Sequence, residues 1–296
     1  MRPITEAANR QRKIIQDVRD ALVRASTTFS KDKIVAYQQA ITAEKNQHAR
    51  WALEIILENA LVAEKNQGPM CDDTGIPHLF LEIGPKRTVS GELLYAIQEG
   101  IAEGLRFLPG RPMAIMGHDK QRLDQTGGLD PDPGAVAPAP FLIKQVDEDV
   151  LRLHILMEGG GPAIRGKVYR VFHQHDVCTV RDEIVRWGTE AVEQLGCTPC
   201  TLTIGIGRSH YEAAALMMEA QVFGSYAVQS ELEVSITEGV NASRVGPLGL
   251  GGGSSVLATF LKVGPQRASG VRIVCFRPCC CFEPRLESIL LEASEH

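Results

Sequence analysis

Apolar residues recur at helical spacing through the first 65 residues of the chain. One stripe occupies residues 14–23, and a second begins at Trp51 and continues to Val62. Spacings of three and four residues place such side chains on one face of an α-helix. The pattern therefore predicts a helical N-terminal region over residues 1–65, which the Gly-Pro pair at residues 68–69 ends.

Short apolar runs alternate with helical spacing in the remainder of the chain. Runs at residues 79–83, 202–206 and 271–276 predict strands, and the spacing at residues 91–108, 180–195 and 211–221 predicts helices. Two further runs, at residues 141–146 and 150–157, flank an Asp-Glu-Asp sequence and predict a β-hairpin. Residues 109–140 are rich in Pro, Gly and Asp, which is typical of a functional or disordered loop.

These elements predict an α/β fold in which a helical N-terminal region precedes a mixed sheet flanked by helices. The chain of 296 residues shows no internal repeat and no clear linker, so we expect a single domain over residues 1–296.

Composition narrows the class of protein. Hydrophobic residues make up 44% of the chain and charged residues 23%, as in a soluble globular protein, and the net charge of -5 argues against a nucleic-acid partner. Residues 1–13 lack the apolar core of a signal peptide, and no apolar run has the length of a membrane span. We therefore expect a cytoplasmic protein.

Cys71 lies in the sequence Gly-Pro-Met-Cys-Asp-Asp-Thr-Gly-Ile-Pro, at residues 68–77. Acidic neighbours raise the pKa of a thiol, so Cys71 is a poor free nucleophile, whereas a bound metal would deprotonate it outright. The alternative is an ordinary turn with a helix-capping aspartate. Cys197 and Cys200 have Cys-x-x-Cys spacing, which suits either half of a zinc site or a redox dithiol.

Three glycine-rich turns, at residues 159–161, 205–207 and 249–253, follow or precede apolar runs. Their backbone N–H groups can hold a phosphate or a carboxylate, although none fits a nucleotide-binding motif. The alternative is that glycine simply permits a tight turn.

The order of these landmarks resembles the alpha subunit of the class I fumarase and tartrate dehydratase iron-sulfur hydro-lyases. The resemblance implies a class I fumarase alpha-domain-like fold and a [4Fe-4S] cluster held by three cysteines, with one iron open to substrate. Cys71 and Cys197 match the first two ligands, and counting from the glycine-rich turn at residues 249–252 puts the third on Cys279. Cys275 is the alternative third ligand, and Cys280 and Cys281 are expected to be bystanders.

The resemblance also implies roles around the substrate. Asp73 matches an aspartate that orients the iron-bound hydroxyl or water, with a helix cap as the alternative role. The expected substrate-binding residues are Asp72, Arg111, Gly160, Gly161 and Arg267. Asp72 stands where the family usually has Gln, and Arg267 stands where it has His, so we expect a shifted substrate or a homologue that has lost the original activity.

In this family a separate beta region supplies the catalytic base and part of the carboxylate clamp. The resemblance therefore implies a hydro-lyase alpha subunit that works with a beta subunit on a hydroxy-dicarboxylate such as malate, fumarate or tartrate. The expected assembly is a hetero-oligomer containing an alpha–alpha dimer. The alternatives are a non-catalytic cluster- or metal-binding homologue with an assembly or sensing role, and a zinc protein that uses Cys197 and Cys200.

Overall fold

The computed structural model describes residues 6–291, with side chains from residue 8 onward. The helices are α1 (Glu6–Thr27), α2 (Lys31–Ala43), α3 (Gln47–Asn66), α4 (Gly91–Phe107), α5 (Asp119–Asp124), α6 (Gly160–Ala163), α7 (Val177–Leu195), α8 (His210–Phe223) and α9 (Glu231–Asn241). The strands are β1 (Ile76–Ile83), β2 (Leu142–Gln145), β3 (Leu151–Glu158), β4 (Lys167–Phe172), β5 (Cys200–Gly207), β6 (Val256–Val263), β7 (Val271–Cys279) and β8 (Leu286–Leu290). Between residues 6 and 291, none of the helices has both the length and the apolar character that crossing a bilayer requires.

The chain divides into two compact units, each with its own four-stranded mixed sheet. Unit 1 contains the residues up to 28, residues 62–158 and the residues from 285 onward, and its strand order is β2-β1-β3-β8. Unit 2 contains residues 29–61 and 159–284, and its strand order is β4-β7-β5-β6. The mixed α/β class expected from the sequence is confirmed, whereas a single domain over residues 1–296 stays a prediction.

The core of unit 1 lies between one face of its sheet and helices α1 and α4. Leu79 and Leu81 of β1 and alternate residues of β3 from Leu151 to Met157 face this core, as the two-residue period of a strand requires. Two glycines of α4 allow the helices to approach closely, since a Cβ on Gly100 would lie 2.7 Å from the Val18 Cβ and 2.8 Å from the Ile15 carbonyl oxygen.

The hairpin expected at residues 141–157 is wrong. β2 pairs with β1 in parallel and β3 pairs with β1 antiparallel, so β1 separates the two strands. The connection crosses the end of β1 at Gly84, whose amide donates to the Val150 carbonyl at 2.7 Å and where a Cβ would overlap the Glu148 carbonyl oxygen. Both apolar runs form strands as expected, and the crossing chain fits because residue 84 has no side chain.

In unit 2, β5 is a central strand that pairs in parallel with β6 and antiparallel with β7. Leu202, Ile204 and Ile206 of β5 join the core formed with α7 and α9. On the other face, Gly205 lies against α8, where a Cβ would overlap backbone atoms of Ala213. β5 is therefore buried on both faces, which explains its continuous apolar run.

Most elements expected from periodicity are present. α1, α2 and α3 make up the expected N-terminal helical region, of which residues 1–5 lie outside the described residues. The long loop at residues 109–140 contains α5, a 3₁₀ turn at Pro133–Ala135 and a bridge between Ile115 and Leu129. β4, α9 and β8 were not expected, since each is short or lies at the edge of its layer.

We predict that Gly100→Ala lowers the free energy of unfolding by about 1–3 kcal/mol, because the added methyl group meets the backbone of α1. Gly91→Ala is the matched control, since no atom lies within 4 Å of a Cβ at this first residue of α4. Urea unfolding of the three proteins measures the effect. A Gly100→Ala protein as stable as the Gly91→Ala protein contradicts the close approach of α1 and α4.

The polar face of the unit 1 sheet predicts a pH dependence. His154 is 3% exposed and its Nε2 lies 3.1 Å from the Glu82 carboxylate; burial lowers its pKa, against the opposing effect of the Glu82 hydrogen bond. An unfolded chain therefore takes up a proton near the ordinary histidine value of 6.5, whereas the folded His154 takes one up only at a lower pH. The free energy of unfolding thus falls as the pH drops below that value.

Replacing His154 by Gln removes this contribution, so the slope of unfolding free energy against pH becomes shallower between pH of about 6.5 and 5. The control is His210→Gln, which changes an exposed histidine at the first residue of α8. Urea unfolding at stepped pH values gives the slopes. Equal slopes for wild type and His154→Gln exclude His154 as the titrating group.

Candidate active site

The turn at residues 71–75 of unit 1 is fixed by its own polar groups and by the loop that follows α4. The buried Thr74 hydroxyl accepts a hydrogen bond from the Arg111 amide at 2.8 Å, and the Asp73 carboxylate accepts one from the Gly75 amide at 3.2 Å. Gly75 has φ of 83°, and a Cβ there would lie 3.0 Å from the Glu158 carbonyl oxygen. A glycine is therefore required where this turn enters β1.

Arg285 holds the same turn from the start of β8. Its buried guanidinium donates from Nη1 to the Asp73 carbonyl at 2.7 Å and from Nε to the Met157 carbonyl at 3.0 Å. Asp73 precedes a strand, so the helix cap considered as its alternative role is wrong. Sequence reasoning missed Arg285, although a charged residue directly before a short apolar run was a usable signal.

Unit 1 brings together Cys71, Asp72, Asp73 and Arg111. The Asp72 carboxylate is exposed and lies 3.5 Å from Arg111 Nη1, and the Cys71 thiol donates to the other Asp72 oxygen at 3.6 Å. The extra negative charge of Asp72 thus has a cationic neighbour. The exposed Arg111–Asp72 ion pair contributes little to the free energy of unfolding. Its effect is to reduce the net negative charge around this turn.

Unit 2 brings Cys197 and Cys281 together. Cys197 is exposed and precedes β5, whereas Cys281 is buried and follows β7. The Cys281 amide donates to the Cys197 carbonyl at 2.9 Å, because β5 and β7 are antiparallel and their neighbouring ends meet. The pKa of Cys281 is raised well above its usual range by a hydrogen bond with Cys280 and by burial, to which the charges of Cys280 and Cys197 add.

Cys279 and Cys275 lie within β7, on the sheet face that α8 covers. The Cys279 sulfur is 3.7 Å from the Thr203 hydroxyl and 3.6 Å from the Gln221 amide oxygen of α8. Cys275 is opposite Gly205, well inside the strand. Among Cys275, Cys279 and Cys281, it is the Cys281 residue whose backbone amide bonds the Cys197 carbonyl.

Cys200 differs from its Cys-x-x-Cys partner in exposure. It is fully buried at the first residue of β5, and burial, followed by the charge of Cys280, raises the pKa of its thiol far above the usual range. Cys197, by contrast, is exposed. Over residues 6–291, no three His, Cys, Asp or Glu side chains form a group suited to hold a metal ion.

The glycine turn at residues 159–161 is anchored by a buried ion pair. Arg277 Nη2 donates to the Gly159 carbonyl at 3.2 Å and to the Glu283 carboxylate at 2.9 Å, and that carboxylate accepts a hydrogen bond from the Gly159 amide. Gly160 begins α6 and is exposed, and no atom lies within 4 Å of a Cβ at Gly161. The turn therefore leaves open space beside its backbone.

The structure does not bring Arg267 to these residues. It is exposed in the loop between β6 and β7, ahead of the first residue of β7, whereas Cys279 is the last residue of that strand. Nine extended residues separate these ends by roughly 30 Å.

Comparison with known proteins agrees with the family resemblance that the sequence shows. The model of the fumarate hydratase (Fumerase) family matches residues 15–288. A putative L(+)-tartrate dehydratase subunit alpha of Methanocaldococcus jannaschii is 26% identical over 281 residues, covering 88% of this chain and 94% of that protein. The L(+)-tartrate dehydratase subunit alpha of Escherichia coli K12 is 23% identical over 277 residues, covering 90% of this chain and 88% of that protein.

Because the family model matches nearly its whole length, the chain belongs to the fumarate hydratase family, as a divergent hydro-lyase of the class I fumarase and tartrate dehydratase alpha type.

Proposed function

We propose that this chain is the cluster-bearing alpha subunit of a [4Fe-4S]-dependent hydro-lyase. Its substrate is a hydroxy-dicarboxylate such as malate or tartrate, which it dehydrates reversibly. The observation that carries the proposal is the hydrogen bond from the Cys281 amide to the Cys197 carbonyl, at 2.9 Å. Two cysteine residues far apart in sequence thereby become backbone neighbours at one end of the unit 2 sheet.

The proposed ligands are Cys71, Cys197 and Cys281. Cys281 takes the position that counting along the sequence had assigned to Cys279, because the Cys279 thiol contacts Thr203 and Gln221 beneath α8. Thiolates are the donors that iron-sulfur clusters require, so the donor set fits the group. When bound, the cluster supplies a Lewis acid for the substrate hydroxyl.

Asp73 orients that hydroxyl or a water in this proposal. Its backbone is held by Arg285, and one of its carboxylate oxygens accepts the Gly75 amide. Such prior fixation reduces the cost of ordering the group during the reaction.

Arg111 and the glycine turn bind the substrate carboxylates in this proposal. The Arg111 guanidinium offsets the charge of Asp72 and keeps further N–H donors for a carboxylate. The open space beside Gly161 suits an approach to backbone amides. Arg267 is left out, since it lies beyond the opposite end of β7 from Cys279.

The proposal includes a separate beta subunit, which supplies the base that removes the substrate proton. Two relatives carry the name subunit alpha, which supports this division of labour. The proposed complex is cytoplasmic and contains an alpha–alpha dimer.

Anaerobic reconstitution with iron and sulfide tests the ligand set. We expect Cys71→Ser, Cys197→Ser and Cys281→Ser to lose the iron-sulfur absorbance and the EPR signal of the reduced protein, since each removes a thiolate ligand. Cys279→Ser keeps both signals, and Cys178→Ser is the control, since this cysteine lies in α7. If Cys279→Ser loses the absorbance and EPR signals and Cys281→Ser keeps them, Cys279 is the third ligand, as counting along the sequence had assigned. A colourless wild-type protein with bound zinc contradicts the cluster itself.

Asp73→Asn tests the catalytic role in the complex with a beta subunit. Removing the charge without changing the size lowers kcat on the turned-over dicarboxylate by about 100-fold, with the cluster spectrum retained. Fumarate, malate and L(+)-tartrate are assayed, with Asp119→Asn on the exposed α5 as the control. Unchanged turnover in Asp73→Asn contradicts its role, and no turnover of any dicarboxylate by the wild-type complex contradicts the substrate class.

A further inference from the structure

Helix α2 carries two buried polar side chains, one helical turn apart, that reach the chain following β7. Lys33 is 2% exposed, and its ammonium donates to the Glu283 carbonyl at 2.8 Å. Tyr37 is 0% exposed, and its hydroxyl donates to the Cys281 carbonyl at 2.8 Å. Residues four apart lie on the same helix face, so one face of α2 holds two carbonyls of a single turn.

The remaining polar groups of that turn are also engaged. The Cys281 amide donates to the Cys197 carbonyl at 2.9 Å, and the Glu283 amide donates to the Cys280 carbonyl at 3.0 Å. The Glu283 carboxylate is paired with Arg277 at 2.9 Å. The turn at residues 280–283 is therefore fixed from three sides within unit 2: by α2, by Cys197 and by Arg277.

Burying the Lys33 ammonium at this position carries a desolvation penalty. Lys33 forms no salt bridge with a carboxylate of residues 6–291; its ammonium instead lies 4.3 Å from the centre of the Phe29 ring. Burial lowers its pKa to about 8, against the opposing charges of Cys280, Cys281, Cys279 and Glu283. An apolar side chain would fill the space without this desolvation penalty, so packing alone does not account for a lysine.

We propose that Lys33 and Tyr37 are positioning residues for the Cys281 thiol. By holding the carbonyls of Glu283 and Cys281, they fix the turn in which the Cys281 amide stays bonded to Cys197. The inference rests on the proposed function in that Cys281 is taken as a cluster ligand. The clamp itself is a property of the polypeptide and is present before any cluster is bound.

The proposal separates Tyr37 from a tyrosine of similar chemistry nearby. The Tyr226 hydroxyl bonds the Thr201 hydroxyl at 2.7 Å and does not contact the turn at residues 280–283. Tyr37→Phe and Tyr226→Phe each remove one hydroxyl oxygen from a protein interior. Tyr37→Phe removes a hydrogen bond to the Cys281 carbonyl, whereas Tyr226→Phe removes one to the Thr201 side chain, and the change in side-chain volume is the same.

Alkylation by iodoacetamide of the chain without cluster tests the clamp. Cys281 is 4% exposed, so it reacts only when the turn opens. We expect Tyr37→Phe to raise its alkylation rate, followed by tandem mass spectrometry, about fivefold, as the loss of one hydrogen bond predicts. Lys33→Met raises the rate as well, whereas Tyr226→Phe leaves it unchanged. Cys275, which is buried inside β7, reports general unfolding.

An unchanged Cys281 rate in Tyr37→Phe overturns the proposal, even if Lys33→Met fails to fold. An equal rise at Cys275 and Cys281 also overturns it, because general destabilisation then accounts for the effect. These outcomes do not depend on cluster assembly, so a wild-type chain that takes up no cluster contradicts the proposed function and leaves the alkylation result standing.

A second readout concerns the cluster. After anaerobic reconstitution, we expect the g-values of the reduced cluster to shift in Tyr37→Phe and to match wild type in Tyr226→Phe, since ligand orientation tunes the cluster. If the g-values of Tyr37→Phe and Tyr226→Phe both match those of the wild type, Tyr37 has only a structural role and its positioning role is overturned.

Discussion

The hydrogen bond between the Cys281 amide and the Cys197 carbonyl is the contact on which the account of unit 2 depends. It exists because β5 and β7 are antiparallel, so the chain entering β5 passes the chain leaving β7. Gly205 allows α8 to cover the sheet face that holds Cys275 and Cys279. The Cys275 and Cys279 side chains therefore lie on the face that α8 covers. Cys281, which follows the strand, is the residue whose backbone amide bonds Cys197.

The turn at residues 71–75 of unit 1 is equally constrained. Arg285 and Thr74 fix the backbone of residues 71–75, while Arg111 offsets the carboxylate of Asp72. The divergence from the usual family sequence at Asp72 is therefore accompanied by a local charge partner. This charge partner is compatible with the proposed dicarboxylate substrate, because Arg111 offsets the added negative charge.

Sequence periodicity sufficed for the elements but not for their neighbours. The apolar runs of β1, β5 and β7 were recognisable because strands buried on both faces are continuously apolar. The pairing of β2 and β3 was not, because it depends on the room that Gly84 leaves for a crossing chain. Cys71, Asp72, Asp73 and Arg111 were predicted as site residues and lie together, whereas counting along the sequence could not tell which face of β7 Cys279 occupies. No sequence pattern pointed to Lys33 or Tyr37 as site residues, because their partners are backbone carbonyls about 250 residues away.

A thiol footprint of the unmutated chain tests the central claim most directly. Iodoacetamide reactivity of each cysteine is measured before and after anaerobic reconstitution with iron and sulfide. The account predicts that Cys71 and Cys197, which are half-buried and exposed, lose reactivity together with Cys281 while Cys178 is unchanged. Retained reactivity at Cys71 or Cys197 in a protein that has taken up a full cluster would contradict it.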